Sequence, residues 1–345
     1  MGVTLQQIAE MADTTKSTVD KVIHNRPGVS EKKRAQIRQL LKEHGYEANP
    51  LAKALNYQKR KMKIAVVLPG VTATPWIRSG MEVVRQDFQS FNIQTEFYDI
   101  GPSDAEGQAA CLRRLSGENV AGAIIMPIRA EIVADAVREL ISRKIPVVIV
   151  NSELPVDGSL CYVGQNMQQS GIVAARMMDL FTDGRADIGV ISCHNMIGHE
   201  QREQSFKNCV STDYPSFRVT DTKYILETPE DAYAETMELL RQNPETNALF
   251  ITCGCVEDIC RAVRDYRQSF PENNRPAQPA VVCYEKYDEI RDLLRSGEIA
   301  CTLTGSLSKQ GRFSMRVLFE YLVYDRIPDQ KAFYFSNKIM IRENC

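Results

Sequence analysis

Continuously apolar segments alternate with amphipathic helical patterns along most of this 345-residue chain, and this alternation constrains the fold most strongly. Strands without polar alternation are buried on both faces, so the pattern predicts an α/β fold with parallel sheets covered by helices. About nine such strands are too many for one small sheet and predict two similar lobes. The clearest predicted strands are 64–70, 95–100, 121–127, 146–152, 186–192, 247–253 and 280–285, and the predicted helices are 75–91, 131–143, 171–182, 231–242 and 257–267.

The first 61 residues differ in charge from the rest of the chain. They contain 12 Lys and Arg residues against 6 Asp and Glu residues, a net charge of +6. The remaining residues contain 30 basic and 38 acidic side chains, a net charge of −8. A small basic head on an acidic body predicts that the head binds a polyanion.

Three short helices are predicted within this head. A capping box of Thr4 and Gln7 starts the first helix. Thr15 can cap a second helix over 16–24, and Ser30 can cap a third that ends at residue 44. A tight turn between the first two helices is typical of a helix-turn-helix, whose second helix enters the major groove of DNA by its N-terminal residues. The sequence therefore predicts an all-α DNA-binding domain over 1–47.

The outward face of the second predicted helix is polar. Lys16, Ser17 and Lys21 are placed to touch base edges or phosphates. Asp20 on the same face can accept a hydrogen bond from a cytosine amino group, or can pair with one of the two lysines. Both interpretations of Asp20 stay open. At the start of the third helix, Lys32, Lys33 and Arg34 are predicted to bind phosphates.

Residues 3–55, VTLQQIAEMADTTKSTVDKVIHNRPGVSEKKRAQIRQLLKEHGYEANPLAKAL, resemble the DNA-binding head of the lactose-repressor-type (LacI/GalR) regulators. The shared motifs are VTL-x2-IA-x2-A, STV, NRPGVS and GY-x2-N. The resemblance implies a hinge helix over 50–57, within a hinge and linker at 48–61, and a minor-groove wedge at Leu55. The family usually has proline at the position of Ala48, whereas here Pro50 occupies a place compatible with a first helical turn. The full predicted DNA-binding set is Thr4, Thr15, Lys16, Ser17, Thr18, Asp20, Lys21, His24, Val29, Ser30, Lys32, Lys33, Arg34 and Leu55.

Residues 62–345 resemble the periplasmic-binding-protein-like (type I) effector domain of the same family. The matching motifs are TPW, YVGQN-x3-SG, R-x3-F and VVCYE. This body is predicted to form the effector-binding and dimerisation domain, with a first lobe over 62–164 and 302–325 and a second lobe over 165–301 and 326–345. Ligands of such sheets bind in a crevice at the carboxyl ends of the strands. The residues after the strands predict an effector site of Thr74, Trp76, Met126, Asn151, Ser152, Arg202, Cys253, Gly254, Glu285, Thr304 and Ser306.

The resemblance also implies the chemistry of the effector. Sugar-binding members use an arginine and an acid at the positions of Arg202 and Glu285 to clamp hydroxyl groups. Other positions depart from that pattern, with Met126, Asn151 and the pair Cys253-Gly254 in place of the usual polar residues. We therefore expect a sugar or a sugar derivative, with an acidic or modified sugar as one hypothesis. Trp76 can stack on a sugar ring, or can simply pack.

Two cysteine–histidine groupings could be interpreted as metal sites. They are Cys193 and His194 with His199, and Cys253 and Cys255 with Cys260. Neither has the spacing of zinc fingers or catalytic zinc sites, and thiols at strand ends commonly pack as small apolar groups. A redox switch of Cys253 and Cys255 is a further alternative. The sequence predicts no cofactor and no metal ion.

The sequence lacks the G-x-G-x-x-G after a strand, the P-loop, the G-x-S-x-G and the H-E-x-x-H motif, so we do not expect an enzyme. No apolar run reaches the ~18–20 residues of a membrane span. Ten scattered cysteines without a signal-peptide pattern predict a reduced, cytoplasmic protein. We expect a homodimeric repressor that binds a near-palindromic double-stranded DNA operator under control of a small-molecule effector. The alternative is a solute-binding protein without a regulatory role, which would need an export signal and leaves the basic head unexplained.

Overall fold

The computed structural model describes residues 3–23, 28–44, 62–87, 91–194 and 197–345. The chain divides into two compact units. One unit contains the described residues up to 44 together with the short segments 91–92 and 319–327. The other contains 62–89, 93–318 and 328–345, and it holds both sheets.

The N-terminal head consists of α1 (Leu5–Met11), α2 (Lys16–Ile23) and α3 (Glu31–Glu43). The Thr4 hydroxyl accepts from the Gln7 amide, and the Gln7 side chain accepts from the Thr4 amide, so the predicted capping box is confirmed. The three helices enclose a small apolar core of Ile8, Ala9, Ala12, Val19, Val22 and Ile37. The predicted end of the second helix at His24 lies outside the described residues.

The turn between α1 and α2 is fixed by the way in which α1 ends. Asp13 has a φ of 43°, in the left-handed region. The Asp13 amide donates to Glu10 O at 3.1 Å, and the Thr14 amide donates to Ala9 O at 2.9 Å. These two bonds form a Schellman motif, which satisfies the last carbonyl groups of α1 and reverses the chain into α2.

The first sheet of the body is entirely parallel, in the order β11-β5-β4-β3-β1-β2. Its strands are β1 (Met62–Pro69), β2 (Ile93–Ile100), β3 (Gly122–Ile125), β4 (Val147–Asn151), β5 (Cys161–Gly164) and β11 (Ala332–Tyr334). The connecting helices are α4 (Thr74–Asp87), α5 (Ala105–Ser116) and α6 (Glu131–Ser142). Every residue of β3, β4 and β5 is buried, as the continuous apolar pattern predicts.

The second sheet has the order β12-β10-β9-β8-β6-β7, with β12 antiparallel to β10. Its strands are β6 (Ala186–Ser192), β7 (Phe217–Tyr224), β8 (Ala248–Ile251), β9 (Ala280–Tyr284), β10 (Cys301–Thr304) and β12 (Lys338–Met340). Its helices are α7 (Met167–Phe181), α8 (Ile197–Asp213), α9 (Pro229–Gln242), α10 (Val256–Gln268) and α11 (Asp288–Ser296), and a long α12 (Leu307–Tyr324) follows β10. Short 3₁₀ helices lie at Glu272–Asn274 and Arg342–Asn344.

Both faces of the second sheet are covered. Leu249 and Ile251 of β8 belong to one apolar cluster, whereas Phe250 between them belongs to a separate cluster on the other face. Successive strand residues point to opposite faces, so each short apolar strand contributes to two cores. The predicted two-lobed α/β fold with parallel sheets is confirmed.

The predicted lobe boundaries are wrong at two places. β10 lies in the second sheet, where Thr302 pairs with Cys283, although the sequence places residues 302–325 in the first lobe. β11 lies in the first sheet, where Ala332 pairs with Tyr162, although 326–345 were assigned to the second lobe. The segments in question form strands of three or four residues, which carry too little apolar pattern to indicate their sheet. Consequently the chain passes between the lobes three times, after β5, after β10 and after β11.

The three connections between the lobes contact one another. Gln165, in the first connection, is fully buried and donates to Asn337 Oδ1 of the third at 2.9 Å. A Cβ atom added to Gly305, in the second connection, would lie 2.2 Å from Gln165 Cδ. Among the described residues, no helix combines the length and the apolar character of a membrane span.

Candidate functional site

The exposed face of α2 is polar, as predicted. Val19 and Val22 point into the head core, whereas Lys16, Ser17 and Lys21 are exposed. The Thr15 hydroxyl lies 3.3 Å from the Thr18 amide that donates to it, so the N-terminus of α2 is capped. The cap leaves the first turn of α2 presented to solvent, which is the part of a recognition helix that reaches base edges.

The other predicted DNA contacts differ in their surroundings. Lys32 is exposed, but Lys33 donates to Ala12 O, and Arg34 is buried with Glu31 Oε1 3.7 Å from its Nε. Phosphate binding by Lys33 and Arg34 therefore stays a prediction, one that would need them to leave these contacts. Thr4 and Ser30 cap helices, Val29 packs against the head core, and Thr18 and Asp20 are half-buried on α2. His24 and Leu55 lie outside the described residues.

A cavity of about 50 Å³ lies between the lobes, at the carboxyl ends of strands from both sheets. It is lined by Val71, Thr72, Ala73, Asn151, Ser152, Met167, Gly198, His199, Arg202, Glu227, Thr252, Cys253, Gly254, Tyr284, Glu285 and Tyr287. A second cavity of about 520 Å³ shares Glu285 and is lined by Trp76, Lys286, Thr304, Ser306, Leu307, Ser308, Lys309, Lys338, Ile339, Met340 and Asn344.

The predicted effector residues divide between these cavities. Asn151, Ser152, Arg202, Cys253, Gly254 and Glu285 line the smaller cavity, whereas Trp76, Thr304 and Ser306 line the larger one. Thr74 and Met126 are buried and line neither cavity as the described residues define them. Their roles as effector contacts, like those of the other predicted residues, stay predictions. The cavity residues that the sequence does not predict include Thr72, Glu227, Tyr284 and Tyr287. Thr72 and Tyr287 follow predicted strands and Tyr284 lies within one, whereas Glu227 follows β7, which was not predicted.

Arg202 is the central charged group of the smaller cavity. It projects from α8, and its side chain is only 5% exposed. Its guanidinium donates to Gln165 Oε1 at 2.7 Å and to Thr252 O at 3.2 Å, and it lies 3.8 Å from the centre of the Tyr284 ring. Gln165 belongs to a connection between the lobes. Arg202 therefore joins the cavity to the segments about which the lobes can move.

Glu285 is the acidic partner of Arg202, at 3.7 Å between Oε1 and Nη2. Burial raises the pKa of the Glu285 carboxyl, and the positive charges of Arg202 and His199 oppose that effect. Within the described part of the chain, Glu285 Oε2 and Arg202 Nε are buried and have no hydrogen-bond partner. One acceptor and one donor are thus available to a polar ligand, because buried polar groups are normally paired.

Several cavity residues have a left-handed backbone conformation that residues other than glycine rarely adopt. The φ angles are 65° at Asn151, 58° at Glu227, 77° at Glu285 and 58° at Ser306. Each follows or ends a strand, where the chain must turn sharply from the sheet towards a helix. Left-handed residues cost free energy and persist where the surroundings enforce them, which is frequent at ligand sites.

Two thiols lie beside the cavity. The neighbouring Cys253 lowers the pKa of Cys193 to about 6 against the opposing effect of burial, while Cys253 Sγ itself donates to Ile191 O at 3.9 Å. The interaction with Cys193, together with burial, raises the pKa of Cys253. Burial disfavours charge on His199, but the nearby Cys193 outweighs it and raises the pKa of the imidazole. The Cys253–Cys255 redox pair stays a prediction, and the structure brings Cys253 against Cys193.

Comparisons with known proteins match both parts of the chain. Residues 64–325 match the periplasmic binding protein domain, and residues 4–49 match the bacterial regulatory proteins of the lacI family. The chain belongs to the LacI family. It is a DNA-binding transcriptional regulator, as the sequence predicts.

Among curated relatives of this LacI-family regulator, catabolite control protein A of Priestia megaterium is 22% identical over 258 residues, which are 73% of this chain and 74% of that protein. MalR, an HTH-type transcriptional regulator of Streptococcus pneumoniae serotype 4, is 23% identical over 286 residues, 79% and 82% of the two chains. Among solved structures, GanP, a glucose-galactose binding protein from Geobacillus stearothermophilus, has a TM-score of 0.74 at 16% identity and covers 83% of this chain and 99% of its own. At such identities the structural likeness supports the fold alone.

Proposed function

We propose that this regulator is a homodimeric repressor that binds a near-palindromic operator and releases or binds it in response to a sugar or sugar derivative. The observation that carries the proposal is the exposed first turn of α2, with Lys16, Ser17 and Lys21 facing solvent on a capped and packed helix. The basic charge of the head supplies the attraction to DNA, and the dimer would mirror the symmetry of its operator.

The smaller cavity supports a polyhydroxylated effector. Arg202 Nε can donate and Glu285 Oε2 can accept, which is the pairing that a hydroxyl group needs. The Tyr284 ring is covered by Arg202, so any stacking surface for a sugar must come from elsewhere, and Trp76 lines the larger cavity. A cavity of about 50 Å³ is too small for a monosaccharide. The proposed response therefore includes a separation of the lobes when the effector enters.

Control of DNA binding follows from linkage. An effector can change operator affinity only if it binds one arrangement of the lobes more tightly than another. An acidic sugar stays a separate hypothesis, because Arg202 offers a cation for a carboxylate.

The DNA-binding side is tested with fragments selected by the full-length protein from genomic DNA, with affinities measured by fluorescence anisotropy at several salt concentrations. Lys16→Ala and Lys21→Ala should each weaken binding by about 1–3 kcal/mol, which is about fivefold to a hundredfold. Lys42→Ala, an exposed lysine near the end of α3, is the matched control. If Lys16→Ala and Lys21→Ala bind as well as the control, α2 is not the recognition helix. If the full chain retains no DNA fragment, the alternative of a solute-binding protein is favoured.

The effector side is tested by thermal shift and calorimetry with neutral hexoses, pentoses, polyols and uronates. A stabilising sugar should also change the anisotropy-measured operator affinity. Tight binding of a neutral hexose without any response to uronates would refute the acidic-sugar hypothesis. Stabilisation by none of these classes would refute the sugar-responsive proposal while leaving DNA binding intact.

A further inference from the structure

Three side chains with metal-binding atoms meet at the carboxyl edge of the second sheet. Cys193 follows β6, His199 lies in the first turn of α8, and Glu227 follows β7. One ligand atom from each residue lies within 4.8 Å of the ligand atoms of the other two. Cys193 is buried and the other two residues are half-buried beside the smaller cavity.

A second sulfur lies next to this cluster. Cys253 follows β8, the neighbour of β6 in the sheet, and the pairing of Ile191 with Ile251 places Cys253 beside Cys193. The four residues therefore supply two sulfur atoms, one imidazole and one carboxylate. Thiolate and imidazole ligands are preferred by Zn²⁺ and similar borderline-soft ions, which are commonly tetrahedral with four such ligands.

The ligands are held by a further layer of hydrogen bonds. His199 Nδ1 lies 2.7 Å from Thr252 O, and because a carbonyl oxygen only accepts, Nδ1 carries the proton and Nε2 keeps its lone pair. Glu227 Oε1 accepts from the Gly254 amide at 2.8 Å. A histidine that donates its second nitrogen to a backbone carbonyl is the usual arrangement at metal sites, since it fixes the ring for binding.

The separations and charges are compatible with an ion. Bonds of about 2.0–2.3 Å to tetrahedral zinc place the ligand atoms about 3.3–3.8 Å apart. The ligand atoms of Cys193, His199 and Glu227 lie within 4.8 Å of one another, so they need to approach by about 1 Å. Arg202 is the nearby positive charge that would oppose a cation, but Glu285 pairs with it at 3.7 Å. The Glu227 carboxylate and the thiolates, which form when the thiols release their protons to solvent, balance the charge of the ion.

We infer that Cys193, His199, Glu227 and Cys253 form a binding site for a divalent transition-metal ion of the Zn²⁺ class on the second-lobe wall of the effector cavity. The site goes beyond the proposed function and does not depend on it. It also differs from the groupings suggested by sequence proximity. His194 stacks on Tyr224 with ring centres 3.9 Å apart, and Cys260 packs in the core of the second lobe.

The test uses the full-length protein, reduced and freed of metal by a chelator, and titrated with Co²⁺ alone. A tetrahedral site with two thiolates gives intense visible ligand-field bands and a near-ultraviolet sulfur-to-cobalt charge-transfer band. We expect one Co²⁺ per chain with this spectrum, and its displacement by Zn²⁺. Cys193→Ser should remove at least half of the charge-transfer intensity, and His199→Asn, which keeps a donor for Thr252 O, should weaken affinity more than about tenfold.

Two further variants separate ligand loss from misfolding. Glu227→Gln keeps an oxygen that can accept from the Gly254 amide but lacks the charge, and Cys111→Ser alters a half-buried thiol of the first lobe as the matched control. Thermal unfolding without metal identifies any variant that fails to fold. A folded Glu227→Gln variant with weakened Co²⁺ binding, beside an unchanged Cys111→Ser variant, supports the site. Absence of the tetrahedral spectrum in the unsubstituted protein, or the same spectrum and affinity in folded Cys193→Ser and Glu227→Gln variants, overturns it.

Discussion

Replacement of Arg202 by Met tests whether this residue holds the two lobes together through its charge. Met fills a similar volume but cannot donate the hydrogen bonds to Gln165 and Thr252. A hydrogen bond from a charged donor contributes about 1.5–3 kcal/mol, and the substitution also leaves Glu285 without its counter-ion. Removing one partner of a buried ion pair typically costs about 3–5 kcal/mol. We therefore expect Arg202→Met to lower the free energy of unfolding of the body by about 3–5 kcal/mol.

The double variant Arg202→Met/Glu285→Gln tests where this cost arises. If the cost arises from stranding Glu285, then Glu285→Gln in the Arg202→Met background should recover part of it, giving a coupling energy of about 1–3 kcal/mol. Urea unfolding is followed by the fluorescence of Trp76, the only tryptophan of the chain, which lies in α4 of the body and does not report on the head. Effects of the two substitutions that add to within about 0.5 kcal/mol would show that Arg202 and Glu285 act independently.

Three further outcomes are expected. The body should become more stable as pH falls from the raised pKa of Glu285 towards the ordinary carboxyl range, because burial favours the protonated form of this carboxyl. Glu285→Gln should remove this part of the pH dependence of unfolding, measured by Trp76 fluorescence. Equal pH profiles for the two proteins would contradict the prediction. Gly305→Ala should destabilise the body by about 1–3 kcal/mol, because the added Cβ would clash with the buried Gln165 side chain. Gly117→Ala is the control, because the nearest atom to its added Cβ is 3.5 Å away. Similar urea midpoints for the two variants would refute the contact. Asp13→Gly should stabilise the head by about 0.5 kcal/mol, because glycine adopts a left-handed φ without strain. The effect is measured as slower amide exchange in α1. Faster exchange would contradict the left-handed turn at Asp13.

The sequence predicted the head and the central strands well because their signals are local. The Thr4–Gln7 capping box and the Ser30 cap each act within one helical turn, and both appear in the structure. The strand β7 was missed because it is an edge strand with a mostly half-buried, polar sequence. β10 and β11 were assigned to the wrong lobes because pairing partners are set by tertiary contacts, which strands of three or four residues do not encode in their own pattern.

The candidate site was only partly predictable for the same reason. Arg202 and Glu285 came from their positions after strands and from family resemblance. The partnership of Cys193 with Glu227 and Cys253 depends on the order β8-β6-β7, which places the ends of three strands side by side. Sequence proximity suggested His194 as the neighbour of Cys193, but the ring of His194 faces Tyr224 instead.

The three connections between the lobes also have a mechanical consequence. Two bodies joined at a single point can swing in any direction, whereas three neighbouring connections restrict the relative motion of the bodies. Gln165, in the first connection, contacts Gly305 of the second and Asn337 of the third, so one side chain packs against all three connections. Arg202, which lines the cavity, donates a hydrogen bond to the same Gln165 side chain. A ligand in the cavity therefore acts on a restricted hinge motion of the two lobes, and a small change in that motion changes the relative orientation of both lobes.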